Sequence, residues 1–307
     1  MGNIRNDNDS LYDVIVMGGS YAGLSAALAL GRSLRKILVI DDGNPCNIKT
    51  PRSHNFLTHD GEKPTVILDI GKKEVMKYDS VRFIDATALH GTENKGVYTI
   101  DLDNGESFSS GKLIFATGII DKFPDIKGFS NCWGISVLHC PYCHGFEVRN
   151  KRMGVLGNGE IGFDLAKLIS NWTNDLVLFT NGVSSLSEKE YAKLNENNIL
   201  VIEKEISHVI HENGYMSELV FKDGSSEQLN CIFAKLDFKQ SCEIPIELCC
   251  EINSKGYINV DEFQRTNVQG IFAAGDNTTF LRSVSVAVAA GNVAGGTINK
   301  ELINQSF

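Results

Sequence analysis

The chain has 307 residues, 42% of them hydrophobic and 22% charged, with 29 Gly against 6 Pro. Length and composition suit about two domains with cores of their own and exclude a disordered or low-complexity protein. The formal net charge of −9 argues against a nucleic-acid groove and against an anionic membrane surface.

Residues 1–10 are polar, and no apolar run reaches 18 residues. A signal sequence and a bilayer span are therefore not expected, and a cytoplasmic location is. The eight cysteines, at 46, 132, 140, 143, 231, 242, 249 and 250, are then expected to be mostly reduced thiols.

Taken in chain order, the first predicted element is a short buried strand over 13–18. Gly18-Gly19-Ser20-Tyr21-Ala22-Gly23 follows, then a small-residue helix over 24–30 and a strand over 36–41 that ends in Asp41. Strand, glycine turn, helix, strand and terminal acid make the first βαβ unit of a dinucleotide-binding fold. The glycines let backbone N–H groups approach a pyrophosphate at the helix N-terminus, and Asp41 is placed for a ribose hydroxyl. Ser20 stands where the second Gly of G-x-G-x-x-G is expected. The other reading of the turn is a packing corner in a different α/β fold.

The pattern recurs. A strand over 151–156 leads into Gly157-Asn158-Gly159-Glu160-Ile161-Gly162, which fits G-x-G-x-x-G fully; a helix over 163–170 and a strand over 175–180 follow. Each copy also carries a predicted hairpin. In the first, 98–102 turns at Asp103-Asn104-Gly105 towards 113–118; in the second, 218–222 turns at Asp223-Gly224 towards 231–234. Beyond them, 256–261 and 266–276 lead through a strand ending in Gly275-Asp276 to an Ala/Gly/Val-rich helix over 284–299. This tail most simply completes the first domain. The expected architecture is thus α/β, with two nested Rossmann-like, three-layer domains: 1–117 with 242–307, and an insert at 118–241.

Between the copies lies His139-Cys140-Pro141-Tyr142-Cys143-His144-Gly145. A C-x-x-C beside βαβ units suggests reversible thiol chemistry, and a neighbouring His can carry a proton or lower a thiol's pKa. Haem attachment, a zinc site drawing on both His and both Cys, and two merely structural thiols are the alternatives on local grounds. No metal site is expected.

Five ordered signals, Gly18-to-Gly23, Ala116-Thr117-Gly118, Cys140-to-Gly145, Gly157-to-Gly162 and Thr266-to-Asp276, resemble the low-molecular-weight thioredoxin reductases over nearly the whole chain. The resemblance implies FAD in the discontinuous domain, and NADPH or NADH in the insert that carries the C-x-x-C. Electrons would pass from the nicotinamide through FAD and the disulfide to a thioredoxin-like protein or small disulfide, in a homodimer. By the same resemblance, Gly18, Gly19, Ser20, Ala22, Gly23, Asp41, Asn55, Ala86, Ala116, Thr117, Gly118, Gly275, Asp276, Arg282, Ser283 and Val284 serve FAD. Gly157, Asn158, Gly159, Glu160, Ile161 and Gly162 serve the nicotinamide. Cys143 is the flavin-facing thiol, Cys140 attacks the partner, and His144 is the acid–base.

The chain departs from that family's usual pattern in four places. His144 replaces an Asp and Ser283 a Gln; 181–186 lacks the Arg cluster for a 2′-phosphate; Lys235-Leu236-Asp237 replaces Ile-Gly-His. No Arg occurs between Arg152 and Arg265, although Lys189 or Lys193 can act as point charges. The C-x-x-C-H-G variant resembles a divergent branch that includes gliotoxin-type dithiol oxidases, which pass electrons to O2, and relatives fed by a non-nicotinamide donor. A flavin-bearing redox sensor is the third reading.

Overall fold

The computed structural model describes residues 11–307; residues 1–10, read above as carrying no signal sequence, lie outside the described residues. The chain divides into two compact units. One holds the residues up to Ile48, Thr65–Ile120 and Phe238–Phe307; the other holds Lys49–Pro64 and Asp121–Asp237.

In the first unit the strands run in the order Val81–Asp85, Ile37–Asp41, Tyr12–Met17, Ser107–Phe115, Val97–Leu102, Ala88–Asn94. Ile271–Ala273 pairs parallel with Ser107–Phe115. The first four strands are parallel, and the last two fold back antiparallel. Successive side chains of a strand point to opposite faces. Ile15, Met17, Leu38, Ile40, Leu113 and Phe115 accordingly enter one core, and Val14, Val16, Ile37, Val39, Ile114 and Phe272 the other. Both faces are covered, which is why these strands read as continuous apolar runs. Each fully buried Ile, Leu or Val of this set contributes about 1.5–3 kcal/mol relative to exposure.

The helices Tyr21–Arg32 and Val284–Ser306 lie on the second face. They approach so closely that a Cβ on Gly291 would stand 2.0 Å from the carbonyl oxygen of Ala22. The small residues noted in the sequence serve this contact. The C-terminal helix runs beyond the expected 299 to Ser306, carrying Leu302 onto the same core one turn after Ile298.

The second unit repeats the plan. A parallel sheet runs Leu200–Ile202, Leu176–Phe179, Met153–Leu156, Cys231–Ala234, Val137–Leu138. The helices Gly159–Ile169 and Glu188–Glu196 join the core on one face. The antiparallel strands Ile206–Glu212, Tyr215–Phe221 and Ser226–Gln228 pack on the other.

Two expectations are corrected. The Asp223-Gly224 turn joins Tyr215–Phe221 to Ser226–Gln228, not to 231–234. Leu229 and Asn230 break the run by bonding to Ser217 and Arg152, which frees Cys231–Ala234 for the parallel sheet. In the first unit the single strand Ser107–Phe115 does both tasks. Residues 49–64, expected within the discontinuous domain, group with the insert. Lys49 Nζ donates to the Ser130 carbonyl at 3.3 Å, and His54 Nε2 lies 3.6 Å from Glu147 Oε1.

Candidate functional site

The first glycine turn is forced by its surroundings. Gly18 has φ +99°, and a Cβ there would stand 2.3 Å from the Ala116 carbonyl oxygen. Only glycine adopts that backbone beside another chain segment without strain. A Cβ on Gly23 would meet the Gly18 oxygen at 1.8 Å, so the helix Tyr21–Arg32 enters directly against the turn. Ser20 occupies the N-cap position but makes no capping bond with its side chain. The Ser20 side chain thus does not cover this helix N-terminus, where the helix dipole favours an anion. Ala22 and Gly23 are buried in the first turn.

Around this turn the sequence-predicted residues converge. The Gly19 N–H donates to Asp41 Oδ1 at 2.8 Å, which leaves Oδ2 for a second donor. Ala86 N–H donates to the Asp41 carbonyl at 3.0 Å, and Ala116 N–H to that of Met17 at 2.8 Å. Thr117 Oγ1 is buried with no hydrogen-bond partner, as is Asn47 Oδ1. The amide of Asn47 donates to the Tyr21 hydroxyl at 3.1 Å. Ser241 Oγ donates to the Thr117 and Gly118 carbonyls. Gly275 faces Ala22, and Asp276 Oδ2 lies 3.4 Å from Arg282 Nε. Ser283 caps the helix Val284–Ser306 by accepting from Val286 N–H. The glycine cradle and the buried oxygens left unpaired at its margin are the environment a dinucleotide needs, so FAD fits here. Asn47 and Asn277 are additions that sequence reasoning missed. Asn277 is fully buried, donates to the Phe115 carbonyl and leaves Oδ1 unpaired. A polar side chain directly after Gly275-Asp276 was the available signal.

The second unit holds the thiol pair. Cys140 is the N-cap of the helix Pro141–Val148, and Pro141 stands at N1, where its missing N–H and fixed φ cost nothing. The N–H groups of Cys143 and His144 donate to the Cys140 carbonyl at 3.3 and 3.2 Å. One helical turn thus sets the two sulfurs 2.8 Å apart with no disulfide between them, Cys143 Sγ donating to Cys140 Sγ. The helix N-terminus favours a thiolate at this position. Among the described residues no group of three or more His, Cys, Asp or Glu is arranged to hold a metal ion.

His144 is half-buried on the same helix. Burial, and secondarily the charge of His54, push its pKa down from 6.5 to about 4. It is therefore a neutral imidazole at ordinary pH, able to accept a proton. Asn55 lies beside His54 with φ +59°, and its N–H donates to Asp60 Oδ1 at 2.8 Å.

The second glycine turn packs well but is covered. A Cβ on Gly162 would meet the Gly157 carbonyl at 2.7 Å. Asn158 caps the helix Gly159–Ile169 by accepting from Gly159 N–H, and also accepts from Ser185 N–H at 2.8 Å and Ser185 Oγ at 3.1 Å. Its own amide donates to the Val183 carbonyl. Ser185 Oγ lies 2.8 Å from where a Gly159 Cβ would be. Glu160 places a carboxylate in the first turn, where the dipole would otherwise welcome phosphate, and Ile161 is exposed. Lys193 is engaged with Glu196 at 2.7 Å. The backbone of a dinucleotide turn is present, but its polar face is occupied by its own chain, so a nicotinamide dinucleotide fits this turn poorly as it stands.

The sequence profile described as pyridine nucleotide-disulphide oxidoreductase matches residues 12–291. A thioredoxin reductase of Claviceps purpurea, tcpT, is 28% identical over 96% of this chain and 95% of its own. Another from Leptosphaeria maculans, sirT, is 29% identical over 94% of each chain. The crystal structure of an oxidoreductase from Agrobacterium tumefaciens is 31% identical, covers 96% of this chain and 99% of its own, and superposes with a TM-score of 0.90.

Proposed function

Because the chain belongs to the pyridine nucleotide-disulphide oxidoreductase family, whose cofactors are FAD and NAD(P)H, and is a thioredoxin-reductase-like enzyme, we propose that Cys140 and Cys143 are its redox pair and His144 its proton carrier. The observation that carries this reading is the dithiol 2.8 Å apart at a helix N-terminus, on the same helix as an imidazole kept neutral.

FAD held at the first turn supplies a two-electron carrier. The N–H groups at Ser20, Ala22 and Gly23 would line its pyrophosphate, Asp41 Oδ2 would take a ribose hydroxyl while Oδ1 holds the Gly19 N–H, and Gly18, Ala86, Ala116, Thr117 and Gly118 would close the cradle. Gly275, Asp276, Arg282, Ser283 and Val284 would form the remainder of the flavin contacts. In the second unit, His144 takes the proton from a thiol of the pair, and the Cys140 thiolate attacks one sulfur of an acceptor disulfide. The Cys143 sulfur then displaces the acceptor from the mixed disulfide. The acceptor leaves with two S–H bonds, and Cys140 and Cys143 are left joined by one S–S bond. A thioredoxin-like protein or a small disulfide is the acceptor class. For residues 157–162 to hold NADPH or NADH as the donor, Ser185 and Asn158 would first have to move off the turn. The likeness to family members also supports a cytoplasmic homodimer, which light scattering of the yellow protein checks at twice 33.7 kDa.

A second reading is favoured by Ser185 and Asn158 closing the second turn and by the Arg-free stretch around it. In it the enzyme runs as a dithiol oxidase: a substrate dithiol becomes a disulfide, and O2 becomes peroxide. Anaerobic mixing separates the two. Bleaching of the flavin band within seconds by NADPH or NADH supports the reductase. No bleaching by either, with peroxide forming from dithiol and O2, replaces it by the oxidase.

A further inference from the structure

The loop 181–186 follows the strand Leu176–Phe179 and folds over the second glycine turn, within the second unit. Its two ends are fixed. Asn181 Oδ1 accepts from Ile206 N–H at 2.7 Å, and Thr180 Oγ1 donates to the Gly182 carbonyl at 2.6 Å. Leu186 packs on the core of the unit. The residues between are tied by two side chains from outside the loop. Asn158 Oδ1 accepts from Ser185 N–H and Ser185 Oγ, and its amide donates to the Val183 carbonyl at 2.9 Å. Glu203 Oε2 accepts from Ser184 N–H at 3.1 Å. Val183, at the tip, is 86% exposed. The loop is a strap, and its middle can lift without taking a core residue with it.

Glu203 supplies what the loop lacks. In a dinucleotide-binding unit the ribose-binding acid belongs at the end of the second strand, and 181–186 contains no acid. Phe179 pairs with Ile202 in the parallel register, so Glu203, the first residue after the strand Leu200–Ile202, comes level with Thr180. A carboxylate from the neighbouring strand thus reaches the loop that follows the second strand. The cations near it in sequence are engaged or flanked by acids. Lys204 pairs with Asp223 at 2.8 Å and Lys193 with Glu196, and Lys189 stands between Glu188 and Glu190.

We propose that Glu203 is the specificity-determining residue of the second turn: it ties the strap shut and, when the strap lifts, accepts from a ribose 2′-hydroxyl and repels a 2′-phosphate, so that the turn takes NADH in preference to NADPH. A carboxylate only accepts hydrogen bonds. The Ser184 N–H and a ribose hydroxyl are both donors, so one can replace the other on Glu203. A 2′-phosphate brings acceptors and negative charge, and no arginine stands between Arg152 and Arg265 to offset it. Opening the strap also costs the Asn158 contacts, and either dinucleotide meets that cost equally. The inference rests on the reading of 157–162 as the nicotinamide site.

The test is binding, measured by calorimetry on the flavin-loaded full chain with ADP-ribose and 2′-phospho-ADP-ribose, neither of which can reduce a flavin. Wild type should prefer ADP-ribose by about tenfold, the scale of one charge repelling a phosphate at a solvated site. Glu203→Gln keeps an acceptor for Ser184 N–H without the charge, and should shrink that preference to about twofold or less. Asn158→Ala unties the strap, with Ser185→Gly as the second variant should the lost helix cap impair folding. Either should tighten both ligands and leave their ratio near tenfold. Where the closed strap holds wild-type binding below detection, the ratio and the effect of Glu203→Gln are read in the untied background. Equal or tighter binding of the 2′-phosphate compound, or a ratio that Glu203→Gln does not move, overturns the inference and leaves 157–162 a nicotinamide site. Binding of neither compound by wild type or by both untied variants overturns the inference together with that reading of 157–162.

Discussion

The glycine turns at 18–23 and 157–162 have the same backbone logic and opposite surroundings. In the first, the Ser20 side chain makes no capping bond, and Asp41 reaches back to the second residue of the turn. In the second, Asn158 caps the helix itself, Ser185 folds over Gly159, and Glu160 adds a negative charge. The sequence fingerprint is more complete in the second turn than in the first, which has Ser20 in place of a glycine. Completeness of a glycine motif thus reports how tightly strand and helix pack. Whether a phosphate is welcome depends on what the next loop does with the helix N-terminus.

The largest expected contrast is between single methyl groups. Gly23→Ala places a Cβ 1.8 Å from a backbone oxygen, and no side-chain motion relieves it; the variant should yield no soluble yellow protein. Gly159→Ala meets the movable Ser185 hydroxyl and a φ of +54°, which costs about 1–3 kcal/mol. It should keep its flavin, so equal flavin loss in both variants would dissolve the distinction. Cys140→Ser or Cys143→Ser should abolish disulfide exchange while FAD absorbance stays in place.

His144→Ala should lower turnover by about 10²-fold, with the acid limb near pH 4 gone from the rate profile. The same residue makes stability depend on pH. Its folded-state pKa, about 4, lies below the ordinary 6.5, so between those values the unfolded chain binds more protons. Stability should therefore fall as pH drops from 6.5 towards 4. His144→Gln should flatten that fall in urea-midpoint measurements. Asp41→Asn keeps an oxygen for the Gly19 N–H but loses the charge facing the ribose, and should weaken FAD binding by about tenfold. The smallest effect is expected from Ser185→Gly, which uncovers Gly159. A few-fold rise in flavin reduction by NADPH or NADH is the outcome, read by stopped-flow absorbance.

The strands 12–17 and 37–41, the first turn and the thiol helix were legible because each is decided within a dozen residues. Buried parallel strands must be apolar on both faces, and a turn tight enough to touch Ala116 must be glycine. Three features were not legible, for one reason: each joins residues distant in the chain. Residues 49–64 pack with the insert, Ser185 returns to Asn158, and His54 meets His144. No local pattern marks a histidine as the neighbour of another ninety residues away. The split of hairpin and core strand near Leu229 was missed because a parallel strand and an antiparallel one share the same apolar alternation.

The strand Ile271–Ala273 and the helix Val284–Ser306 complete a sheet begun by Tyr12–Met17. A ribosome emits the chain at roughly 5–20 residues per second, so all of Asp121–Asp237 emerges before that strand does. The thiol-bearing unit can therefore be finished while the first turn is still waiting for its last strand and its covering helix. Until then Tyr12–Met17 and its neighbours hold an apolar face that the nascent chain cannot yet bury. A chain cut short at residue 240 and released would hold the whole insert without the strand and helix that complete the first unit, and chaperones acting on this protein would find their target in the half made first.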